Sequence, residues 1–234
     1  MRIETYLGTN EDEVKSKEFN IWIGISLGNS YFSKENVKKY IEWAVECTKE
    51  DVLVVIADEI RAINYEALNG KSQSRSLKLA KREGDEKEEE VREALSTLPR
   101  SVSEKVRIAR WGDVNSSKYH QYRLEVLYEE FGMEGDFYEY IVSIIKEARS
   151  DRELTKEKLQ GLSDYVLLEI PVFLNGVKYK ISNENWRTYG LIAYPGISKL
   201  DELFIGLQEG SIFPELASRL KITDPIAILE AYID

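Results

Sequence analysis

Hydrophobic and polar positions divide the chain into alternating strand-like and helix-like stretches. Phe19-Asn20-Ile21-Trp22-Ile23-Gly24-Ile25-Ser26 is rich in β-branched and aromatic residues, which predicts a buried strand ending in Ser26-Leu27-Gly28-Asn29. Ser33 can cap a following helix, in which Val37, Tyr40, Ile41, Ala44 and Val45 recur at helical spacing with charged residues opposite. Val52 to Ala57 is an unbroken apolar strand. Strand, helix and apolar strand in succession make a βαβ unit, so a mainly parallel sheet is predicted. Helices are expected over about 59–68, stopped by Asn69-Gly70, and over about 72–98, stopped by Pro99. A third strand covers 105–109 and a further one 190–194. Helices are expected near 117–131, 137–148 and 155–173, with a bend at Pro171, and helical pieces are expected to close the chain. No internal repeat or low-complexity linker interrupts this pattern, which predicts one α/β domain over residues 1–234.

Composition narrows the chemistry. Hydrophobic residues make up 43% of the 234 positions, enough for a real core. Cys47 is the only cysteine and His120 the only histidine, so a disulfide within the chain and a cysteine- or histidine-clustered metal site are excluded. No apolar run reaches membrane-spanning length and the amino terminus does not read as a signal peptide, so a cytoplasmic protein is expected. The net charge of -10 argues against nucleic-acid binding by the surface as a whole, but not against a local basic patch. Acid–base or nucleophilic chemistry falls to serine, tyrosine and carboxylates.

Three features could carry such chemistry. Gly24-Ile25-Ser26-Leu27-Gly28 fits G-x-S-x-G at a strand-to-helix turn, which would present Ser26 at the carboxyl end of the sheet near helix amides. A serine hydrolase built on it would need His120, which stands mid-chain rather than late; a plain turn serine is the other reading. Tyr165 and Glu169, four apart, share one face of a largely apolar helix. A carboxylate there needs a partner, either a nearby lysine or arginine or the ammonium group of a substrate. Lys71, Arg75, Lys78 and Arg82, with Lys81 beside them, form a basic stripe before an acidic run over 83–93. The stripe is either a solvated helix face or a track for a phosphate backbone. Gly70-Lys71-Ser72 lacks the earlier glycine of a phosphate-binding loop, since Tyr65 stands there.

Taken together, three blocks resemble the tRNA-dependent cyclodipeptide synthases. They are Gly24 to Ser33 followed by Trp43-Ala44, Tyr165 to Phe173, and Leu191-Ile192-Ala193-Tyr194. The resemblance implies a Rossmann-like fold similar to the catalytic domain of class I aminoacyl-tRNA synthetases. It also implies an aminoacyltransferase that converts two aminoacyl-tRNAs into a cyclic dipeptide, a diketopiperazine. The aminoacyl ester is already activated, so neither ATP nor another cofactor or metal is implied. Nor is DNA or a membrane implied as a partner, and the family's usual monomer is the expected state.

By the same resemblance, Ser26 would accept the first aminoacyl group, Tyr165 and Glu169 would hold its α-ammonium, Tyr194 would assist proton transfer and Asn29 would orient the intermediate. Trp22, Gly24, Leu53, Val172 and Ile192 would line the first aminoacyl pocket, and Lys71, Arg75, Lys78, Lys81 and Arg82 would meet tRNA. Two departures stand out. Pro195 follows Tyr194 where one branch of the family has histidine, and the later part of the stripe's helix, arginine-dense in familiar members, is acidic here. Three readings are thus set against one another: cyclodipeptide synthesis, a serine esterase dependent on His120, and a non-catalytic synthetase-like tRNA-binding module.

Overall fold

The computed structural model describes residues 1–114, 118–150, 153–182 and 184–233. The strand predicted at Phe19 is β2, Ile21–Ser26, and the apolar run after Asp51 is β3, Val52–Ala57. They pair in parallel, with Trp22 opposite Leu53 and Ser26 opposite Ala57. Helix α2, Lys34–Cys47, joins them; the Ser33 side chain accepts from the Asn36 amide and the predicted apolar stripe is the face it buries. Parallel pairing continues outward to β4, Val106–Arg110, and on the other side to β7, Leu191–Tyr194.

Two further strands complete the sheet. β8, Ala227–Tyr232, lies parallel to β7, and β1, Arg2–Leu7, closes the edge antiparallel to β8. The order is β1-β8-β7-β2-β3-β4. The expectation that helical pieces close the chain is therefore corrected. Helices α10, Lys199–Glu209, and α11, Pro214–Leu220, do come late, but the described chain closes on β8. A small hairpin of β5, Val177–Lys180, and β6, Trp186–Tyr189, was also not foreseen.

Both faces of the sheet are covered, so its central strands are apolar on both sides. Ile21, Ile23, Ile25, Val52 and Val54 meet α2 on one face. Trp22, Leu53 and Val55 point to the other, where helices α7, Lys118–Gly132, α8, Asp136–Ala148, and α9, Lys156–Leu174, pack. Thr155 caps α9 as expected. The predicted start of α7 at Ser117 lies outside the described residues. Side chains alternate along β2, so Ser26 follows Trp22 and Gly24 onto the face shared with α9.

Helix α3, Arg61–Asn69, ends at Gly70 in the left-handed conformation with φ 61°, and α4, Gln73–Ser96, crosses the carboxyl ends of β3 and β4. Part of the acidic half of α4 meets Arg110 at the end of β4. Arg110 donates to Asp58 at 2.8 Å, to Asp85 at 2.9 Å and to Glu88 at 3.0 Å. Close approach here depends on Gly84, where an added Cβ would stand 2.3 Å from an Arg110 nitrogen and 2.7 Å from the Asp58 Cβ. Gly84→Ala should therefore lower stability by about 1–3 kcal/mol, through overpacking rather than helix propensity. Denaturant titration checks this; a stabilised variant would show that α4 does not need the contact.

Candidate active site

The carboxyl end of β2 turns sharply. The Asn29 amide bonds back to the Ser26 carbonyl at 3.3 Å, and Gly28 between them has φ +80°, which glycine adopts without strain. The Arg61 guanidinium lies beside Gly28. Helix α2 begins at Lys34 after the Ser33 cap, as expected, so the segment from Leu27 to Ser33 separates Ser26 from it along the chain.

Instead, the Ser26 hydroxyl meets Tyr194, whose phenol stands 3.1 Å away at the end of β7. Tyr194 also exchanges a side-chain hydrogen bond with Asn29, and the Asn29 amide oxygen accepts from the Tyr31 amide at 3.0 Å. Burial raises the Tyr194 pKa above that of an ordinary phenol, and the contacts to Ser26 and Asn29 only oppose this. The phenol therefore stays neutral at physiological pH.

Tyr165 and Glu169 occupy one face of α9 and exchange a hydrogen bond. Among the described residues, no lysine or arginine forms an ion pair with Glu169. Burial pushes its pKa up to about 8, against the opposing Tyr165 bond and with Asp201 adding in the same direction. Tyr194 feels the Glu169 charge, which places both groups in one electrostatic neighbourhood. Tyr165 and Glu169 line a cavity of about 340 Å³. Its apolar wall includes Ile144, Leu162, Val166 and Leu200, while Asn64 and Lys199 add polar groups.

Trp22, Gly24, Leu53 and Ile192 are brought together beneath Ser26, but as packed core. Trp22 pairs in register with Leu53 on one side and Ile192 on the other. Its ring would lie 3.2 Å from a Cβ at Gly24, and it is 2% exposed. Val172 is buried in the same core and borders a different cavity of about 290 Å³, behind α9. Apart from Tyr165, Val166 and Glu169, the open cavity beside Glu169 is built from residues that lie in none of the three sequence blocks. Its wall could have been sought only through the apolar faces of α8 and α9.

His120 borders that second cavity, with Arg123 and Lys178, and burial depresses its pKa to about 4. The Ser26 hydroxyl is served by Tyr194, so the histidine-dependent hydrolase reading loses its base. On α4, Arg75, Lys78, Lys81 and Arg82 are exposed and border an open groove, with Lys71 half-buried just before the helix. Lys81 pairs with Glu59 at 3.0 Å and Arg82 with Glu86 at 3.7 Å. Among the described residues, Arg75 and Lys78 pair with no carboxylate. No helix among the described residues is long and apolar enough to cross a membrane, and no cluster of three or more metal-ligating side chains occurs there.

A model of the family described as cyclodipeptide synthase matches residues 5–180. A cyclo(L-leucyl-L-leucyl) synthase of Staphylococcus haemolyticus is 23% identical over 181 residues, 73% of this chain and 74% of that protein. The fold is similar to a cyclodipeptide synthase from Bacillus thermoamylovorans, with TM-score 0.70 and 21% identity over 96% of this chain and 93% of the other. A cyclodipeptide synthase from Candidatus Glomeribacter gigasporarum bound to Phe-tRNAPhe superposes with TM-score 0.60 and 14% identity, covering 92% and 88%. A likeness of fold extends to tyrosyl-tRNA synthetase from Archaeoglobus fulgidus, with TM-score 0.54 and 12% identity over 98% of this chain and 60% of that one.

The state of Glu169 is open to a direct test. Its folded pKa lies above that of an unfolded glutamic acid, so the native state holds the proton longer than the unfolded state does. Stability must then fall as pH rises through the unfolded value towards about 8. Glu169→Gln removes that penalty. Its melting temperature should match wild type near pH 4 and exceed it near pH 9. A variant less stable than wild type near pH 9 would mean that a cation already pairs with Glu169.

Proposed function

The chain belongs to the cyclodipeptide synthase family, and we propose that it joins two aminoacyl groups delivered by tRNA through an ester on Ser26. The observation that carries this reading is the 3.1 Å contact between Ser26 and Tyr194, whose phenol also feels the Glu169 carboxyl group. A neutral phenol there can pass a proton from the serine oxygen to the ribose oxygen that leaves. Attack of Ser26 on the aminoacyl ester releases tRNA and forms an aminoacyl-serine ester of similar reactivity, so no ATP is consumed.

Tyr165 and Glu169 hold the α-amino group of that ester. A carboxyl group with its pKa near 8 suits a second task, because an amine must lose a proton before it attacks. Once deprotonated, the amine attacks the ester of the second aminoacyl-tRNA, giving a dipeptidyl-serine and free tRNA. The new terminal amine then attacks the serine ester, closing the six-membered ring and restoring Ser26. Asn29 orients Tyr194 and the intermediate. The Trp22 ring fills the space above Gly24, which leaves little depth for a first side chain directed along β2.

The tRNA would land on the exposed stripe of α4. With a net charge of -10, the protein needs a local positive surface to receive it, and Arg75 and Lys78 are free of protein carboxylates among the described residues. A single chain acts alone in this scheme, in the cytoplasm where charged tRNA is available.

Mass spectrometry of medium from bacteria expressing the chain should reveal a new diketopiperazine. Ser26→Ala should abolish it while the circular dichroism spectrum is retained, because no other nucleophile replaces the γ-oxygen. Turnover at near-normal rate would eliminate the covalent route. For the stripe, a double variant Arg75→Glu and Lys78→Glu should bind tRNA more weakly and with a shallower salt dependence, since fewer counterions are released. Equal affinity and equal slope across a salt series would mean that tRNA docks elsewhere.

A further inference from the structure

An ammonium group carries three N–H donors, and each donor left without an acceptor in a dry cavity costs free energy. Tyr165 and Glu169 supply acceptors from one helix face only. Across the same cavity stands Asn64 of α3. It is only 7% exposed, and among the described residues its side chain makes no hydrogen bond.

A structural asparagine behaves differently in this protein. Asn175, 4% exposed, accepts from the Thr223 amide at 2.8 Å and so ties down a loop. Asn64 ties down nothing, and its unpaired amide is not sealed in the core but borders the cavity. Its position is set by a tight helix contact. An added Cβ at Gly161 of α9 would stand 2.9 Å from the Ala67 Cβ of α3. Asn64 lies one turn before Ala67, and Tyr165 one turn after Gly161, so the contact draws both to the cavity they share. Lys199, also at the cavity, is engaged elsewhere. It donates to Ser143 at 2.7 Å and lies over the Tyr140 ring.

We propose that Asn64 is a further substrate-binding residue, whose amide oxygen accepts a hydrogen bond from the α-amino group held by Tyr165 and Glu169. This rests on the reading of the site given above and adds the third acceptor that the ammonium group requires. Nothing in the motifs of the chain marks Asn64; only its burial, its idle amide and its neighbours do.

Steady-state assays of the purified full chain with aminoacyl-tRNA test it, using Asn64→Leu and Asn64→Asp beside wild type. The leucine variant lacks an acceptor, so its KM should rise about tenfold to a hundredfold, the range for a bond to a charged group. The aspartate variant keeps an acceptor at the same place and should stay within a few-fold of wild-type KM. Melting temperatures should fall little in Asn64→Leu, because no protein hydrogen bond is lost. Unchanged KM in the leucine variant would overturn the assignment, as would a loss confined to kcat and melting temperature, which marks a structural role. An aspartate variant as impaired in KM as the leucine one would also overturn it, since the amide would then be acting as a donor. If wild type itself makes no cyclic dipeptide, both readings fall; if wild type turns over and only the Asn64 pattern fails, the broader reading stands.

Discussion

Burial of the central parallel strands on both faces governs where chemistry can sit in this protein. Backbone groups inside the sheet satisfy one another, and the side chains of β2, β3 and β7 are apolar on either side. Polar groups are left to the strand ends. At the amino ends Asp51 closes off the sheet: it accepts from Arg107 at 2.6 Å and from Tyr189 at 2.8 Å and pairs with Arg187. At the carboxyl ends Asp58 and Arg110 do the same for β3 and β4, while β2 and β7 deliver Ser26 and Tyr194 to one another. The Ser26 hydroxyl is therefore positioned by the strand ends rather than by a flexible loop.

The second constraint is electrostatic. An apolar helix that carries a carboxyl group with no cation beside it holds a group out of balance in the empty protein. Its raised pKa expresses that imbalance, which a substrate amine would relieve in the proposed reaction. In the proposed reaction one group would serve both recognition and proton removal, beside a cavity that combines an apolar wall with few polar groups. The acidic half of α4 follows the opposite logic. Asp85 and Glu88 pair with Arg110 and Glu93 with Lys34, which ties the helix to β4 and α2, while Arg75, Lys78, Lys81 and Arg82 are exposed.

Much of this was legible in the sequence because it is local. The apolar runs that became β2 and β3, the Ser33 and Thr155 caps, the Gly70 stop and the helical spacing of Tyr165 with Glu169 all depend on residues close in the chain. What escaped depends on distant contacts. β1 is a half-exposed edge strand defined by pairing with β8, as in the 2.7 Å bond from Thr5 to Glu230. Ala227 to Tyr232 has no strict alternation to mark it as a strand in sequence, and pairing with β7 and β1 makes it one. Gly84 sits unremarked in an acidic run until Arg110 arrives beneath it. The cavity wall likewise comes from four helices, α3, α8, α9 and α10, that no short motif links. The sequence blocks named Ser26, Tyr165, Glu169 and Tyr194, but the order in which their side chains meet required the fold.

The central claim is that the first aminoacyl group resides on Ser26 between the two tRNAs. Intact-protein mass spectrometry after brief mixing with a single charged tRNA in slight excess, quenched in acid, measures this directly. The account predicts a mass gain of one aminoacyl residue, mapped by peptide analysis to Ser26, which disappears as cyclic dipeptide accumulates. Cyclic dipeptide formed at full rate with no such adduct at any time, or an adduct mapped to another residue, would contradict it.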